Sequence, residues 1–194
     1  MALAAVKKAK IRVRKVEDLE RISVLAIEGT PPMVGVLGGI LRSFRFQSVA
    51  VLGSSDEAWL RLNIEPSARP DIILLDWHAH PVDGEAFVRR LRHVENAALA
   101  ETPVVAIIAN ADRETVFAAR DAGVNVVLLR PFSAAQLLEK VMWTLGQDTP
   151  FIRSEFYVGP DRRRFRAAEY LGEKRRIGET EYYRPEAPHS GETV

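Results

Sequence analysis

Three charged residues each stand where a short apolar run stops. Glu28 follows Ile22–Ile27, Asp76 follows Ile72–Leu75, and Arg130 follows Asn125–Leu129. Ile72, Ile73, Leu74 and Leu75 show no alternation, so both faces of that strand are covered, as in a parallel sheet between helix layers. Such sheets place their working groups just beyond the carboxyl ends of the strands. Two carboxylates facing a cation at one sheet edge can hold a divalent metal through oxygen ligands. They can also present one carboxylate as a nucleophile to a phosphoryl group, with Arg130 stabilising anionic oxygens. The alternatives are a plain ion pair that closes the sheet edge and, for Asp76 alone, a turn cap.

The elements that must position these residues recur in a regular order. Ile22–Ile27, Ser48–Leu52, Ile72–Asp76, Val104–Ile108 and Asn125–Leu129 read as strands. Between them lie helical patterns. Thr30-Pro31 opens a helix whose apolar face holds Met33, Val36, Leu37, Ile40, Leu41 and Phe44. Ser54 with Glu57, and Ser133 with Gln136, have capping-box spacing. Gly84–Val94 turns Phe87, Val88 and Leu91 inward, and Asp112 opens a helix that Ala122-Gly123 closes. Five strand–helix units over about 125 residues predict a five-stranded parallel sheet with helices on both faces, joined by right-handed crossovers.

Composition sets further bounds. The chain has 194 residues and no cysteine, which excludes disulfides and cysteine-ligated metals. Residues 1–21 carry seven Lys/Arg against three Asp/Glu, residues 22–146 carry 11 against 14, and residues 147–194 carry nine of each. This divides the chain into a basic arm (1–21), a mildly acidic α/β domain (22–146) and an extension (147–194). No apolar run reaches membrane-spanning length and the start lacks the order of a secretory signal, so a cytoplasmic protein without membrane insertion is expected.

The pattern resembles the receiver domain of two-component response regulators, over residues 22–146. The resemblance is carried by Val24-Leu25-Ala26-Ile27-Glu28-Gly29, by Asp71-Ile72-Ile73-Leu74-Leu75-Asp76-Trp77 with Val82-Asp83-Gly84, by Pro103-Val104-Val105-Ala106-Ile107-Ile108-Ala109, and by Leu129-Arg130-Pro131-Phe132. It implies the flavodoxin-like (βα)5 fold, and Asp76 as the acceptor of phosphate from a histidine kinase or phosphotransfer protein. It implies Glu28 as the metal-side acid, Arg130 in place of the family's phosphate-contacting Lys, and a cis peptide before Pro131. Glu28, Asp76 and His78 form the acidic, metal-side pocket of this expectation, with Mg²⁺ as the cation.

The departures from the family are specific. The second acid of the family's pair is Gly29, which weakens a hard-cation site. The switch Ser/Thr is Ile108, which cannot hydrogen-bond a phosphoryl oxygen, and the aromatic rotamer partner is Val127. Arg130 keeps the charge of Lys with a different geometry. The loop Pro comes one place late, with His80 in its position; His78 and His80 read as loop histidines beside an acidic site rather than a metal pair. These changes point to a receiver whose output is weakly controlled by phosphorylation, or to a phosphorylation-independent pseudo-receiver adaptor.

After Gly146 the composition changes. Aromatics interleave with arginines from Phe151 to Arg166, and residues from Glu179 onward read as disordered. Gly159-Pro160-Asp161-Arg162 suits a turn that docks the tail on the acidic domain. Arg162, Arg163, Arg164 and Arg166, within the basic stretch 153–176, resemble the arginine-rich extensions of receivers that bind cyclic di-GMP. Docking of a protein partner is the other reading, and DNA ranks last because acids are interspersed. The 112–146 face is the family's usual homodimer surface. No catalytic constellation beyond the acceptor site is evident, so an enzyme in the ordinary sense is not expected.

Overall fold

The computed structural model describes residues 16–64, 69–78, 80–110, 112–147, 149–161 and 181–183. Five strands, β1 (Ser23–Ile27), β2 (Ser48–Leu52), β3 (Ile72–Asp76), β4 (Val104–Ile108) and β5 (Val126–Leu129), pair in parallel in the order β2-β1-β3-β4-β5. The expected (βα)5 architecture is therefore present. β3 and β4 are buried along their whole length, which explains their unbroken apolar sequence.

Alternate residues of the central strands feed two cores. Val24, Ala26, Ile72, Leu74, Val105 and Ile107 pack against α1 (Pro31–Ser43) and α6 (Ala134–Gly146). Leu25, Ile27, Ile73, Leu75, Ala106 and Ile108 pack against α2 (Ser55–Ile64), α3 (Gly84–Arg92) and α5 (Arg113–Ala122). The strand order reverses between β1 and β3, so the carboxyl ends of these two strands flank the crevice where such sheets bind ligands.

The caps hold with two adjustments. Ser133 and Gln136 exchange the two bonds of a capping box, and Gly123 closes α5 with φ of 103°. Ser54 accepts from the Glu57 N–H at 3.1 Å, whereas Glu57 Oε2 accepts from Gly53, one residue before the expected position. Thr30 stands at the N-cap of α1 without a side-chain cap bond. The single turn α4 (Ala97–Ala100), capped by Asn96, has no counterpart among the expected elements. The Arg130–Pro131 peptide is cis, as is His80–Pro81.

The chain ends depart from the expectation. A 3-10 helix, Val16–Arg21, lies inside the stretch read as a basic arm. Its Leu19 is fully buried against the α1/α6 core, because one leucine among charged residues has an apolar pocket to fill at the start of β1. Residues 1–15 lie outside the described residues.

After α6, β6 (Phe151–Ser154) and β7 (Tyr157–Pro160) form an antiparallel hairpin. Gly159 and Pro160, expected in a docking turn, are the end of β7. β8 (Glu181–Tyr183) pairs with β6 inside the stretch expected to be disordered. A β6 edge left open by the hairpin offers unpaired backbone groups, and three residues of strand satisfy them. The hairpin packs closely against the end of α5. A Cβ on Gly123 would lie 2.9 Å from the Val158 carbonyl, and one on Gly159 would lie 3.0 Å from Gly123 Cα. Arg162, Arg163, Arg164 and Arg166 lie outside the described residues. No helix among the described residues is long and apolar enough to cross a membrane.

Candidate functional site

β1 and β3 are neighbours with Ile27 in register with Leu75, so Glu28 and Asp76 emerge side by side at the carboxyl edge. β5 lies one strand further out, beyond β4. The Arg130 N–H donates to the Ile108 carbonyl at 2.8 Å, which seats the start of its side chain over the end of β4. From there Arg130 Nη2 donates to Asp76 Oδ2 at 2.8 Å and to Glu28 Oε2. The three residues singled out by sequence therefore meet in one cluster.

The remaining carboxylate oxygens take backbone donors. Glu28 Oε1 accepts from the Thr30 N–H at 3.0 Å, and Asp76 Oδ1 accepts from the His78 N–H at 3.2 Å. The loop after Asp76 is held close by a glycine. A Cβ on Gly84 would lie 2.7 Å from the Trp77 ring and 2.9 Å from the Trp77 carbonyl, so only glycine lets α3 start there. Asp83 caps that helix by accepting from the Ala86 N–H at 2.9 Å.

The electrostatics follow from burial. Glu28 is fully buried and the Asp76 side chain is 10% exposed. Loss of hydration pushes the Asp76 carboxyl above its ordinary range, and the adjacent Glu28 charge pushes it the same way. Arg130 and the His78 N–H pull it back only in part. A carboxyl raised above its ordinary range by burial and a neighbouring carboxylate, beside a fixed cation, is a perturbed group of the kind found at reactive sites.

His78 does not join this cluster through its ring. It is exposed and meets the edge of Trp77, ring centroids 6.5 Å apart, and only its backbone N–H reaches Asp76. The expected Glu28, Asp76, His78 ligand set is therefore corrected. Among the described residues no three His, Asp or Glu side chains are placed to hold a metal together. The two remaining carboxylates are bridged by a guanidinium nitrogen, with Gly29 where a further acid would stand, so the donor set as arranged does not fit Mg²⁺.

Ile108 is buried in the α2/α3/α5 core and Val127 packs against the same core. Neither carries a hydroxyl or ring that could report on Asp76. Sequence reasoning missed the two backbone donors, Thr30 and His78, because they depend on how the loops turn. It also missed Arg92, which lies buried on α3 although its neighbours Arg89 and Arg90 make the segment read as solvated.

A family model described as "Response regulator receiver domain" matches residues 24–142. Chemotaxis protein CheY-3 of Vibrio cholerae is 27% identical over 122 residues, 63% of this chain and 90% of that protein. Chemotaxis protein CheY of Pseudomonas aeruginosa is 28% identical, covering 62% and 93% respectively. Among solved structures, the receiver domain of a sensor histidine kinase from Pseudomonas aeruginosa PAO1, with a magnesium ion in its active-site cleft, aligns with TM-score 0.57 at 27% identity. That alignment covers 66% of this chain and 99% of the other. The hairpin and β8 lie beyond the matched residues. With its sheet order, its acidic crevice and this match, the chain belongs to the response regulator receiver family.

Proposed function

We propose that this chain is a receiver protein of a two-component phosphorelay that accepts a phosphoryl group on Asp76 and signals through protein contacts. The observation that carries the reading is the Asp76 carboxylate at the end of β3, buried beside Glu28 and held by Arg130 at 2.8 Å. In this reading an Asp76 oxygen forms a bond to phosphorus as the P–N bond of a phosphohistidine breaks. The product is an acyl phosphate, and the imidazole departs from the donor protein's side. Arg130 serves the anionic oxygens that develop. Partners are a histidine kinase or phosphotransfer protein upstream and a protein target downstream, both in the cytoplasm. The chain acts as an acceptor rather than an enzyme that turns over a diffusible substrate.

Ile108 and Val127 favour a second reading, a phosphorylation-independent pseudo-receiver. An aliphatic pair packed in the core does not differ between two states of Asp76, and a ligand shifts only an equilibrium whose states differ toward it. In that reading the chain is a constitutive adaptor for a protein partner, or for cyclic di-GMP through the arginines of residues 153–176.

Intact mass after incubation with acetyl phosphate and Mg²⁺ separates the two. One phosphate adduct in the wild type and none in Asp76→Ala supports the acceptor. No adduct on a folded wild type overturns it.

A further inference from the structure

We propose that Arg130 is the resident cation of this acidic pocket, standing where a divalent metal would need to bind, so that the pocket excludes Mg²⁺ until the guanidinium is removed. The inference rests on the geometry of the carboxyl edge and holds whether or not Asp76 accepts phosphate.

All four carboxylate oxygens are engaged. Glu28 Oε1 takes the Thr30 N–H and Asp76 Oδ1 takes the His78 N–H. Glu28 Oε2 and Asp76 Oδ2 share one atom, Arg130 Nη2. A metal bridging the same two oxygens would sit about 2.1 Å from each. Arg130 Nη2 already bridges those two oxygens, so a metal that bridged them would compete with the guanidinium for both.

Charge points the same way. Two carboxylates and one guanidinium leave the pocket with a net formal charge of −1, and Gly29 supplies no further acid. A metal entering beside Arg130 would add two positive charges next to one already fixed there. The guanidinium does not relieve this by losing a proton, since it stays charged in proteins. A lysine ammonium, a compact point charge on a flexible stem, could swing away; the planar guanidinium is pre-organised to hold two carboxylates at once. Its backbone is anchored to Ile108, and its side chain is only 22% exposed. Displacement would break two charge-assisted bonds inside a largely dehydrated pocket.

The test uses Mn²⁺ as the probe on the full chain. The free Mn²⁺ spectrum is followed by electron paramagnetic resonance, and Mg²⁺ competition confirms that any site is a hard-cation site. Wild type, Arg130→Gln, Gly29→Asp and the double variant are compared, each shown to be folded by circular dichroism. The expected result is no site in the wild type at millimolar Mn²⁺. Arg130→Gln should then bind roughly tenfold tighter or more, the scale of effect that neighbouring groups exert on metal affinity, and the double variant should bind tightest. Should Arg130→Gln fail to fold, Arg130→Lys takes its place and should also bind more tightly than wild type.

A saturable site in the wild type overturns the proposal, and so does a folded Arg130 variant that binds no better. The phosphate adduct is read separately. A wild-type metal site together with an adduct overturns this inference and leaves the acceptor reading standing. No site and no adduct leaves this inference standing and removes the acceptor reading.

Discussion

Two arginines mark opposite edges of the sheet. Arg130, at the carboxyl edge, is partly exposed and held by two carboxylates. Arg92, at the amino edge, is 1% exposed and held by neutral oxygens. Its Nε and Nη2 donate to the Gly123 carbonyl, Nη1 to the Ala100 and Thr102 carbonyls, and Nη2 also to Asn125 Oδ1. Phe151 of the hairpin covers it, with the guanidinium carbon 5.5 Å from the ring centroid. Burial pulls the Arg92 guanidinium down to about 10, still charged at neutral pH. One arginine thus meets charge with charge at a partly exposed sheet edge. The other spreads its charge over carbonyl dipoles in a sealed one. The first arrangement can be perturbed by a ligand; the second ties α3, α4 and the β4–β5 region to the hairpin.

The contrast gives ordered expectations. Arg92→Ala takes the Arg92 donors from the Ala100, Thr102 and Gly123 carbonyls, while Asn125 Oδ1 keeps the Val104 N–H, and should cost about 3–5 kcal/mol in urea unfolding. Arg92→Lys should fall between, since an ammonium cannot reach all four. A loss below 1 kcal/mol for the alanine variant would make the amino edge as tolerant as ordinary surface.

Gly123→Ala should cost about 1–3 kcal/mol, because φ of 103° strains an alanine and its Cβ would meet the Val158 carbonyl at 2.9 Å. Hydrogen exchange should quicken first in residues 151–160. Uniform quickening across the sheet would contradict an independent docking contact.

At the carboxyl edge, Arg130→Ala leaves two buried carboxylates facing each other and should cost about 2 kcal/mol at neutral pH. That loss should shrink as the pH falls and one carboxyl takes a proton; a pH-independent loss would show that the carboxylates do not interact.

The smallest effect has the opposite sign. The Asp76 pKa is raised in the fold, so the native state favours the protonated form. Its contribution is fully present below the ordinary carboxylate pKa and is lost as pH rises through the elevated value. Asp76→Asn mimics the protonated form and should stabilise the protein at neutral pH by less than about 1 kcal/mol, water screening having reduced the effect. The gain should vanish in acid. Destabilisation at neutral pH would mean that Arg130 outweighs burial.

The same contrast explains what could be read from sequence. Glu28, Asp76 and Arg130 were legible because each follows a short apolar run, and Asp76 ends a strand that is buried along its whole length. Their convergence required only the strand order of the fold. Arg92 was not legible as a core residue, because Arg89-Arg90-Leu91-Arg92 reads as the solvated flank of an amphipathic helix. Its burial depends on carbonyls supplied from outside its own helix, by residues 100, 102 and 123. The hairpin was hidden for a related reason. Four-residue strands, one of them interrupted by Arg153, carry a weak period, and part of their partner surface is made by Gly123. His78 failed as a ligand because proximity in sequence to Asp76 says nothing about where its ring turns.

The central claim is that Glu28, Asp76 and Arg130 act as one coupled unit at the carboxyl edge. A pH titration of the Asp76 side-chain carbon by ¹³C NMR, in the wild type and in Arg130→Gln, reads this coupling directly. The account predicts a wild-type midpoint above the ordinary carboxylate value and a further rise when the guanidinium is removed. An ordinary midpoint in both proteins would contradict it.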